Sequence, residues 1–124
     1  MFKRIHSTAI SVSDQDAALD FYVNTLGWEK RLDNSMGPDM RFITVAPKGA
    51  ETELILGGHS MYPPEDGKGI PNGITLIVDD VDATYAELSA KNVTFSMPPA
   101  DMPWGPRGAH FEDPDGNSFF LTSD

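Results

Sequence analysis

The stretch that most constrains the fold of this 124-residue chain is Gly108-Ala-His-Phe-Glu-Asp-Pro-Asp-Gly-Asn-Ser-Phe-Phe-Leu-Thr122. Its centre, Asp113 to Asn117, has the composition of a tight turn, because Pro114 presets φ at about −65° and Gly116 tolerates the positive φ of a bulged hairpin. We therefore predict that two antiparallel strands flank a short loop at this point.

The predicted hairpin decides which side chains become neighbours. Cross-strand pairing places Phe111 beside Phe119 and His110 beside Phe120, and successive pairs point to opposite faces of the sheet. One face then carries a phenylalanine pair suited to a core. The other face carries His110 and Phe120, a pair suited to the wall of a cavity. A surface hairpin with an ordinary histidine is the alternative, and the hairpin alone does not decide between the two.

Composition excludes several classes of partner. The net charge is −10, the pI is about 4.5, and the nine Lys and Arg residues form no run, so nucleic acid and anionic membranes would be repelled. The absence of cysteine removes disulfides, thiolate metal sites and cysteine nucleophiles. No apolar stretch is long enough to cross a membrane, and the start of the chain has no apolar signal core. We expect a soluble, unprocessed cytoplasmic protein.

The sequence repeats itself at an offset of about 66 residues. Ile10-Ser-Val-Ser-Asp-Gln-Asp-Ala17 aligns with Leu76-Ile-Val-Asp-Asp-Val-Asp-Ala83, and each segment joins a strand to a helix. We predict one domain built from two modules of the same β-α-β-β-β order. The first module covers about 1–57, a Gly- and Pro-rich loop covers about 58–72, and the second module covers about 73–124.

Periodicity and turn residues predict the individual elements. In chain order they are strand Ile5–Val12, a helix from a Ser13/Asp16 capping box to Gly27, strands Trp28–Leu32, Arg41–Val45 and Thr52–Leu56, strand Ile74–Val78, helix Val81–Lys91 capped by Asp79-Asp80, strand Val93–Met97, a Pro-rich loop Pro98–Pro106, and the closing hairpin.

Three local signatures resemble the vicinal oxygen chelate superfamily, which includes glyoxalase I, extradiol dioxygenases, fosfomycin resistance proteins and bleomycin resistance proteins. They are Ala17-Ala-Leu-Asp-Phe-Tyr22 followed by Leu26-Gly-Trp28, then Val78-Asp-Asp-Val-Asp-Ala83, then Phe111-Glu-Asp-Pro-Asp-Gly-Asn117. The resemblance covers nearly the whole chain. It implies an α+β fold in which two βαβββ modules form a cup-shaped open sheet around a small-molecule site, and it implies a homodimer.

The resemblance also implies four positions at which metal-dependent members hold an ion. In this sequence they fall on Ser7, on Ile55 (or Glu53, if the register is shifted by two), on Gly73 and on Phe120. A divalent ion needs three or four deprotonated nitrogen or oxygen donors, which Ser, Ile, Gly and Phe do not supply. We therefore expect no metal and no other cofactor.

Strand alternation and loop chemistry give the candidate ligand-binding residues. Trp104 offers a stacking face and Arg107 a planar fork for an anion, both in the Pro-rich loop that we place at the mouth of the cavity. Trp104 is as compatible with packing on its own sheet or on a dimer partner, and Arg107 with a surface ion pair. The full set of candidates is Ser7, Phe42, Thr75, Trp104, Arg107, His110 and Phe120.

Three functions stay open on the sequence. The favoured one is a metal-independent protein that binds a small molecule, such as an antibiotic or another planar or apolar metabolite, as the bleomycin resistance proteins do. The alternative is a glyoxalase-like lyase, an isomerase or a dioxygenase, either with a displaced metal site that combines Glu53 with His6 or His59, or with His110 as general base. The third is an interaction module without a ligand.

Overall fold

The computed structural model describes residues 1–38, 40–59, 62, 63 and 71–124 of the chain. It has the predicted α+β architecture, with two compact units, Met1–Lys68 (unit 1) and Gly69–Asp124 (unit 2). Unit 1 contains β1 Ser7–Val12, α1 Gln15–Asp20 continued by a π-helical turn Phe21–Thr25, β2 Glu29–Ser35, β3 Arg41–Ala46 and β4 Glu53–Gly58; unit 2 contains β5 Pro71–Ile77, α2 Val81–Ala90, β6 Thr94–Met102, β7 Gly105–Glu112 and β8 Ser118–Thr122. Within the described ranges, neither α-helix has the length and apolar character needed to cross a bilayer.

Each unit is an open four-stranded sheet with the same strand order. Unit 1 has the order β1-β4-β3-β2 and unit 2 the order β5-β8-β7-β6. The first and last strands of each unit pair in parallel, and the other pairs are antiparallel. The predicted duplication of a βαβββ module is therefore confirmed.

Strand alternation separates a core face from an open face in each sheet. In β1, Ile10 and Val12 are buried, whereas the small residues that alternate with them, Ser7, Ala9 and Ser11, are only partly covered. In unit 2, Phe111 and Phe119 are fully buried with their rings 5.3 Å apart in a stacked arrangement. The predicted phenylalanine core pair is thus confirmed, and the opposite face of the same strands is left for other uses.

The cap of the first helix differs from the prediction by one residue. Asp14, not Ser13, has the extended backbone of an N-cap, and its Oδ1 accepts hydrogen bonds from the N–H groups of Asp16 and Ala17, each at 3.0 Å. The Ser-x-x-Asp spacing suggested a capping box, but a carboxylate one position later satisfies two free helical donors at once. Asp80 caps α2 as predicted, accepting from Ala83 N–H at 3.0 Å.

The hairpin on which the prediction was built is confirmed residue by residue. Phe111 pairs with Phe119 and His110 with Phe120. The loop is held by Asp113, whose side chain accepts hydrogen bonds from the N–H groups of Asp115 (3.0 Å) and Asn117 (2.8 Å). Gly116 has φ +84°, the conformation for which a glycine was expected.

The predicted Pro-rich loop Pro98–Pro106 is wrong. Strand β6 continues to Met102 and β7 begins at Gly105, so only a short turn separates them. Two residues, Pro98 and Pro99, oppose a single residue of β7 at a bulge. Because β6 is the outermost strand of its sheet, a missing N–H costs little there, and proline is tolerated.

The predicted connecting loop at 58–72 is too long at both ends. Gly58 is the last residue of β4, and Pro71 is the first residue of β5. Most of the remaining predicted loop, residues 60, 61 and 64–70, lies outside the described residues.

Candidate functional site

A cavity of about 250 Å³ opens on the face of the unit 2 sheet that His110 and Phe120 share. The volume is slightly below the range of roughly 300–1,000 Å³ typical of small-ligand sites. Strands β5, β7 and β8 supply most of the wall, and the β6–β7 turn supplies Trp104. The lining residues are Gly73, Ile74, Thr75, Trp104, His110, Ser118 and Phe120.

Three rings form one side of this cavity. The centroids of His110 and Phe120 are 4.9 Å apart at an interplanar angle of 51°. Trp104 lies 6.4 Å from Phe120 at 52°, and 73% of Trp104 is exposed. Tilted aromatic neighbours at these separations attract one another and leave ring faces free for a further planar group.

Four of the seven predicted ligand-binding residues meet in this cavity. Thr75 pairs with Phe120 across the parallel β5–β8 ladder, and Trp104 and His110 complete the set. Ser7 and Phe42 belong to unit 1, where Ser7 pairs with Glu53 and Phe42 with Asn34. The ligand-binding roles of these residues stay predictions.

Arg107 lies elsewhere. Its Nε donates to both carboxylate oxygens of Asp82, at 2.9 and 3.2 Å, and its Nη1 donates to Asp101 at 3.1 Å. The hydrogen bonds to Asp82, followed by those to Asp101, raise the pKa of the Arg107 guanidinium. Position 107 is an odd number of residues from His110, so its side chain points to the other face of β7. The prediction that Arg107 lies at the mouth of the cavity is therefore wrong for the unit 2 cavity, and Arg107 instead forms surface ion pairs.

The internal repeat explains this placement. Arg41 is the counterpart of Arg107 in the first module, and it donates at 2.6 Å to Asp16, which is the counterpart of Asp82. In each unit an arginine of the third strand thus ties the sheet to the first turn of the helix. The repeat was visible in the sequence, and extending it to these two pairs would have assigned Arg107 to an ion pair.

His110 is half-buried in the cavity wall. Its imidazole makes no hydrogen bond to any of the described residues, and it contacts the ring of Phe120. A general base is normally oriented by a partner that fixes its tautomer. The role of His110 as a base stays a prediction, with no such partner among the described residues.

The family's metal positions lack donors here. The sheet pairs Ala9 with Ile55 and Thr75 with Phe120, so Ile55 and Phe120 are matching positions of the repeat. An isoleucine and a phenylalanine cannot ligate an ion. Glu53, the alternative donor, faces Arg31, with Oε2 3.6 Å from Nη1. No three or more His, Asp or Glu residues gather in metal-binding proximity in the described part of the chain. The residues present do not fit the family's metal ion.

Three further residues line the cavity: Gly73, which sequence analysis named only as one of the family's metal positions, and Ile74 and Ser118, which it missed. Ser118 is in phase with Phe120 on β8, so alternation alone would have found it. Ile74 is out of phase with Thr75 on β5, and it lies where the β5–β8 ladder is irregular, next to Gly73 with φ +73°. No sequence signal indicates its contribution to the wall.

The fold and the cavity define a class of protein with duplicated βαβββ modules and a small apolar pocket on an open sheet. The sequence places the chain within that class: it belongs to the Glyoxalase/Bleomycin resistance protein/Dioxygenase superfamily, whose family model matches residues 4–121.

Three proteins are similar to this chain over nearly its whole length. A member of the same superfamily from Sphaerobacter thermophilus DSM 20745 is 52% identical, with a TM-score of 0.89 over 99% of this chain and 98% of that chain. TnmS3, an antibiotic binding protein from Streptomyces sp. CB03234, is 39% identical, with a TM-score of 0.84 over 98% and 96% of the two chains. The uncharacterized protein YetH of Bacillus subtilis (strain 168) is 36% identical over 98% of both chains.

Proposed function

We propose that this protein is a metal-independent small-molecule binding protein that holds a planar or apolar metabolite, such as an antibiotic, without altering it. The observation that carries the proposal is the wall of the unit 2 cavity, where the rings of Trp104, His110 and Phe120 lie side by side. Stacking on such rings favours a flat, unsaturated ligand.

Besides the His110 imidazole, the cavity wall has two hydroxyl side chains, and both are suited to orienting a ligand. Thr75 and Ser118 each offer one hydroxyl, which can donate or accept a hydrogen bond. A few such groups in a mainly apolar wall are typical of small-ligand sites, where they fix the orientation of the ligand. The hydroxyl, aliphatic, glycine and phenyl groups at the family's metal positions support metal independence.

The comparisons point the same way. TnmS3, which is described as an antibiotic binding protein, shares 39% of its residues with this chain over nearly the whole length of both. We extend ligand binding to this chain on that likeness together with the cavity. We also propose that the protein acts as a homodimer in the cytoplasm, in which Ile77 of β5, 55% exposed in the single chain, is covered by the partner. Light scattering in solution tests the dimer.

The decisive experiment screens planar aromatic natural products and matched saturated compounds for thermal stabilisation of the protein, followed by calorimetry on the best compound. We expect binding of the planar compounds, and recovery of the bound compound unchanged by mass spectrometry after prolonged incubation. Phe120→Ala should weaken binding by about tenfold or more, since an aromatic contact of the wall is lost. Arg107→Ala, on the other face of β7, is the matched control and should bind as the original protein does.

Three outcomes would contradict the proposal. Conversion of the compound that disappears in His110→Ala would favour the enzyme reading. Near one metal ion per chain by mass spectrometry, after expression with added Zn, Ni, Mn and Fe, would refute metal independence. If no compound binds and Phe120→Ala or Trp104→Ala changes only the dimer or its stability, the interaction module is the better description.

A further inference from the structure

Gly108 has a place in unit 2 where any side chain would collide with the ring of Phe120. It is buried in β7, two residues before His110 and on the same face of the sheet. A Cβ atom built on Gly108 would clash with Cζ of the Phe120 ring, and it would lie 2.6 Å from Cε1 of that ring and 3.2 Å from the backbone oxygen of Leu121. The Phe120 ring therefore lies directly over the Gly108 backbone, in what we call the Gly108 notch.

The backbone conformation at position 108 does not require a glycine. The glycines with positive φ among the described residues are at positions 27, 37, 49, 73 and 116, and Gly108 is not one of them. Its conformation is open to any residue. The main obstacle to a side chain there is the Phe120 ring, and the backbone oxygen of Leu121 is a second, less close neighbour.

Unit 1 has the reverse arrangement of sizes. Phe42 is the counterpart of Gly108 in the repeat, and Ile55 occupies the place that matches Phe120. The large side chain thus stands on the third strand in unit 1 and on the fourth strand in unit 2. The notch exists in the unit that has the aromatic cavity wall.

We propose that Gly108 is a positioning residue of the ligand site: because it has no side chain, the Phe120 ring can lie in the notch against β7, which keeps the unit 2 cavity open. The ligand part of this inference rests on the proposed function, whereas the ring geometry does not. A methyl group at position 108 would push the ring out of the notch, and the direction left to it is the cavity beside His110. The cavity would shrink, and the ring faces presented to a ligand would change.

Gly105 provides a matched control in the same strand. It has no positive φ, and a Cβ built on it would meet nothing within 4 Å. Gly108→Ala and Gly105→Ala therefore make the same chemical change, with and without an obstacle. Both replace glycine in β7 by the same more restricted residue, so their shared effect on the unfolded chain cancels in the comparison.

The binding test uses the neutral planar probe prodan, a naphthalene derivative, in fluorescence titrations. We expect Gly108→Ala to raise the Kd of prodan by about tenfold, the size typical of forcing one extra carbon into a packed site, and Gly105→Ala to leave it within about twofold. In a Phe120→Leu background, where no ring overlies the notch, adding Gly108→Ala should change the Kd by less than about twofold. Equal effects of Gly108→Ala in both backgrounds would overturn the proposal.

A measurement without a ligand separates this inference from the proposed function. The Phe120 ring, 4.9 Å from His110, shifts the NMR signals of the imidazole protons by its ring current. We expect Gly108→Ala to move the His110 signals towards their values in Phe120→Leu, and Gly105→Ala to leave them in place. Unmoved His110 signals in Gly108→Ala would refute the role of the notch. If the original protein does not bind prodan, the proposed function loses support while the NMR result still decides the notch.

Discussion

In unit 1, the third strand carries Thr44 on the face opposite the core, where it is fully buried and pairs with Ile55, whereas in unit 2 the matching strand carries His110, half-buried and paired with Phe120. The two sheets have the same strand order, and their helices are capped by aspartates at matching positions of the repeat, Asp14 and Asp80. The frame is therefore shared between the units, and the side chains on the open faces differ. The paired aromatic rings of His110 and Phe120 therefore distinguish the unit 2 face from the matching face of unit 1.

The two units also hold their second hairpin in different ways. In unit 2, the turn is organised from within by Asp113, which is 5% exposed and accepts from backbone and side-chain donors of its own loop. In unit 1, the turn is held from outside by Arg31 of β2, whose Nη2 donates to the carbonyls of Pro47 (3.3 Å) and Ala50 (3.0 Å). A buried internal anchor leaves more unsatisfied groups behind when it is removed than a partly exposed external one does.

The largest effect is therefore expected at Asp113. Asp113→Ala removes the acceptor for Asp115 N–H, Asn117 N–H and the Asn117 amide, two of which are buried. We expect the free energy of unfolding to fall by about 3 kcal/mol, because buried donors lose their charged partner. Urea denaturation followed by circular dichroism measures this change.

Arg31→Ala in unit 1 is the comparison. Its side chain is about a quarter exposed, and it pairs with Glu29 at 2.8 Å, so a loss of about 1 kcal/mol is expected. If Arg31→Ala proves as costly as Asp113→Ala, the distinction between an internal and an external anchor is wrong.

The hairpin could be predicted to the residue because its information is local. Pro114, Gly116 and the flanking aspartate and asparagine specify the turn, and pairing follows from alternation. Arg107 could not be placed by the same reasoning, since its partners Asp82 and Asp101 lie on other elements. Only part of the cavity wall could be predicted. His110 and Phe120 pair within one hairpin, which is local information, whereas the Gly108 notch depends on the position that the Phe120 ring takes in the folded structure.

The next largest effect on the free energy of unfolding is expected from the matching arginines Arg41 and Arg107, and it should differ between the two units. Arg41 donates to both oxygens of Asp33, each at 2.9 Å, as well as to Asp16, and the pair with Asp33 is largely covered. Arg107 makes its contacts at an exposed surface. We expect Arg41→Ala to lower the free energy of unfolding by about 1 kcal/mol and Arg107→Ala to leave it unchanged within error, since solvent screens exposed pairs.

The pH dependence of the same variant identifies the source of the effect. The hydrogen bond from Arg41 lowers the pKa of Asp33 from its ordinary 3.8 to about 2. A lowered folded-state pKa contributes stability that is fully present above pH 3.8 and is lost as the pH falls towards 2. The difference between the original protein and Arg41→Ala should shrink over this window. A difference that stays constant down to pH 2 would assign the effect to packing instead.

The outer strands of the two sheets are protected by different residues. Strand β2 of unit 1 carries a run of charges, Glu29, Lys30 and Arg31, followed by Asp33. Strand β6 of unit 2 carries Pro98 and Pro99 at a bulge. The prolines suggested a loop because a proline pair usually breaks a strand, but at the edge of a sheet it serves to block pairing with another chain.

The smallest effect on stability is expected from the edge prolines, with a larger effect on aggregation. The double variant Pro98→Thr/Pro99→Thr restores two N–H groups to an exposed edge and should change the free energy of unfolding by less than about 0.5 kcal/mol. The same groups offer a template for another strand, so we expect faster growth of turbidity on mild heating. Lys30→Thr in β2 leaves charges on both sides of position 30 and should aggregate no faster than the original protein. If both variants aggregate at the same rate, Pro98 and Pro99 do not protect the edge of β6 against pairing with another chain, and their bulge affects only the local shape of the strand.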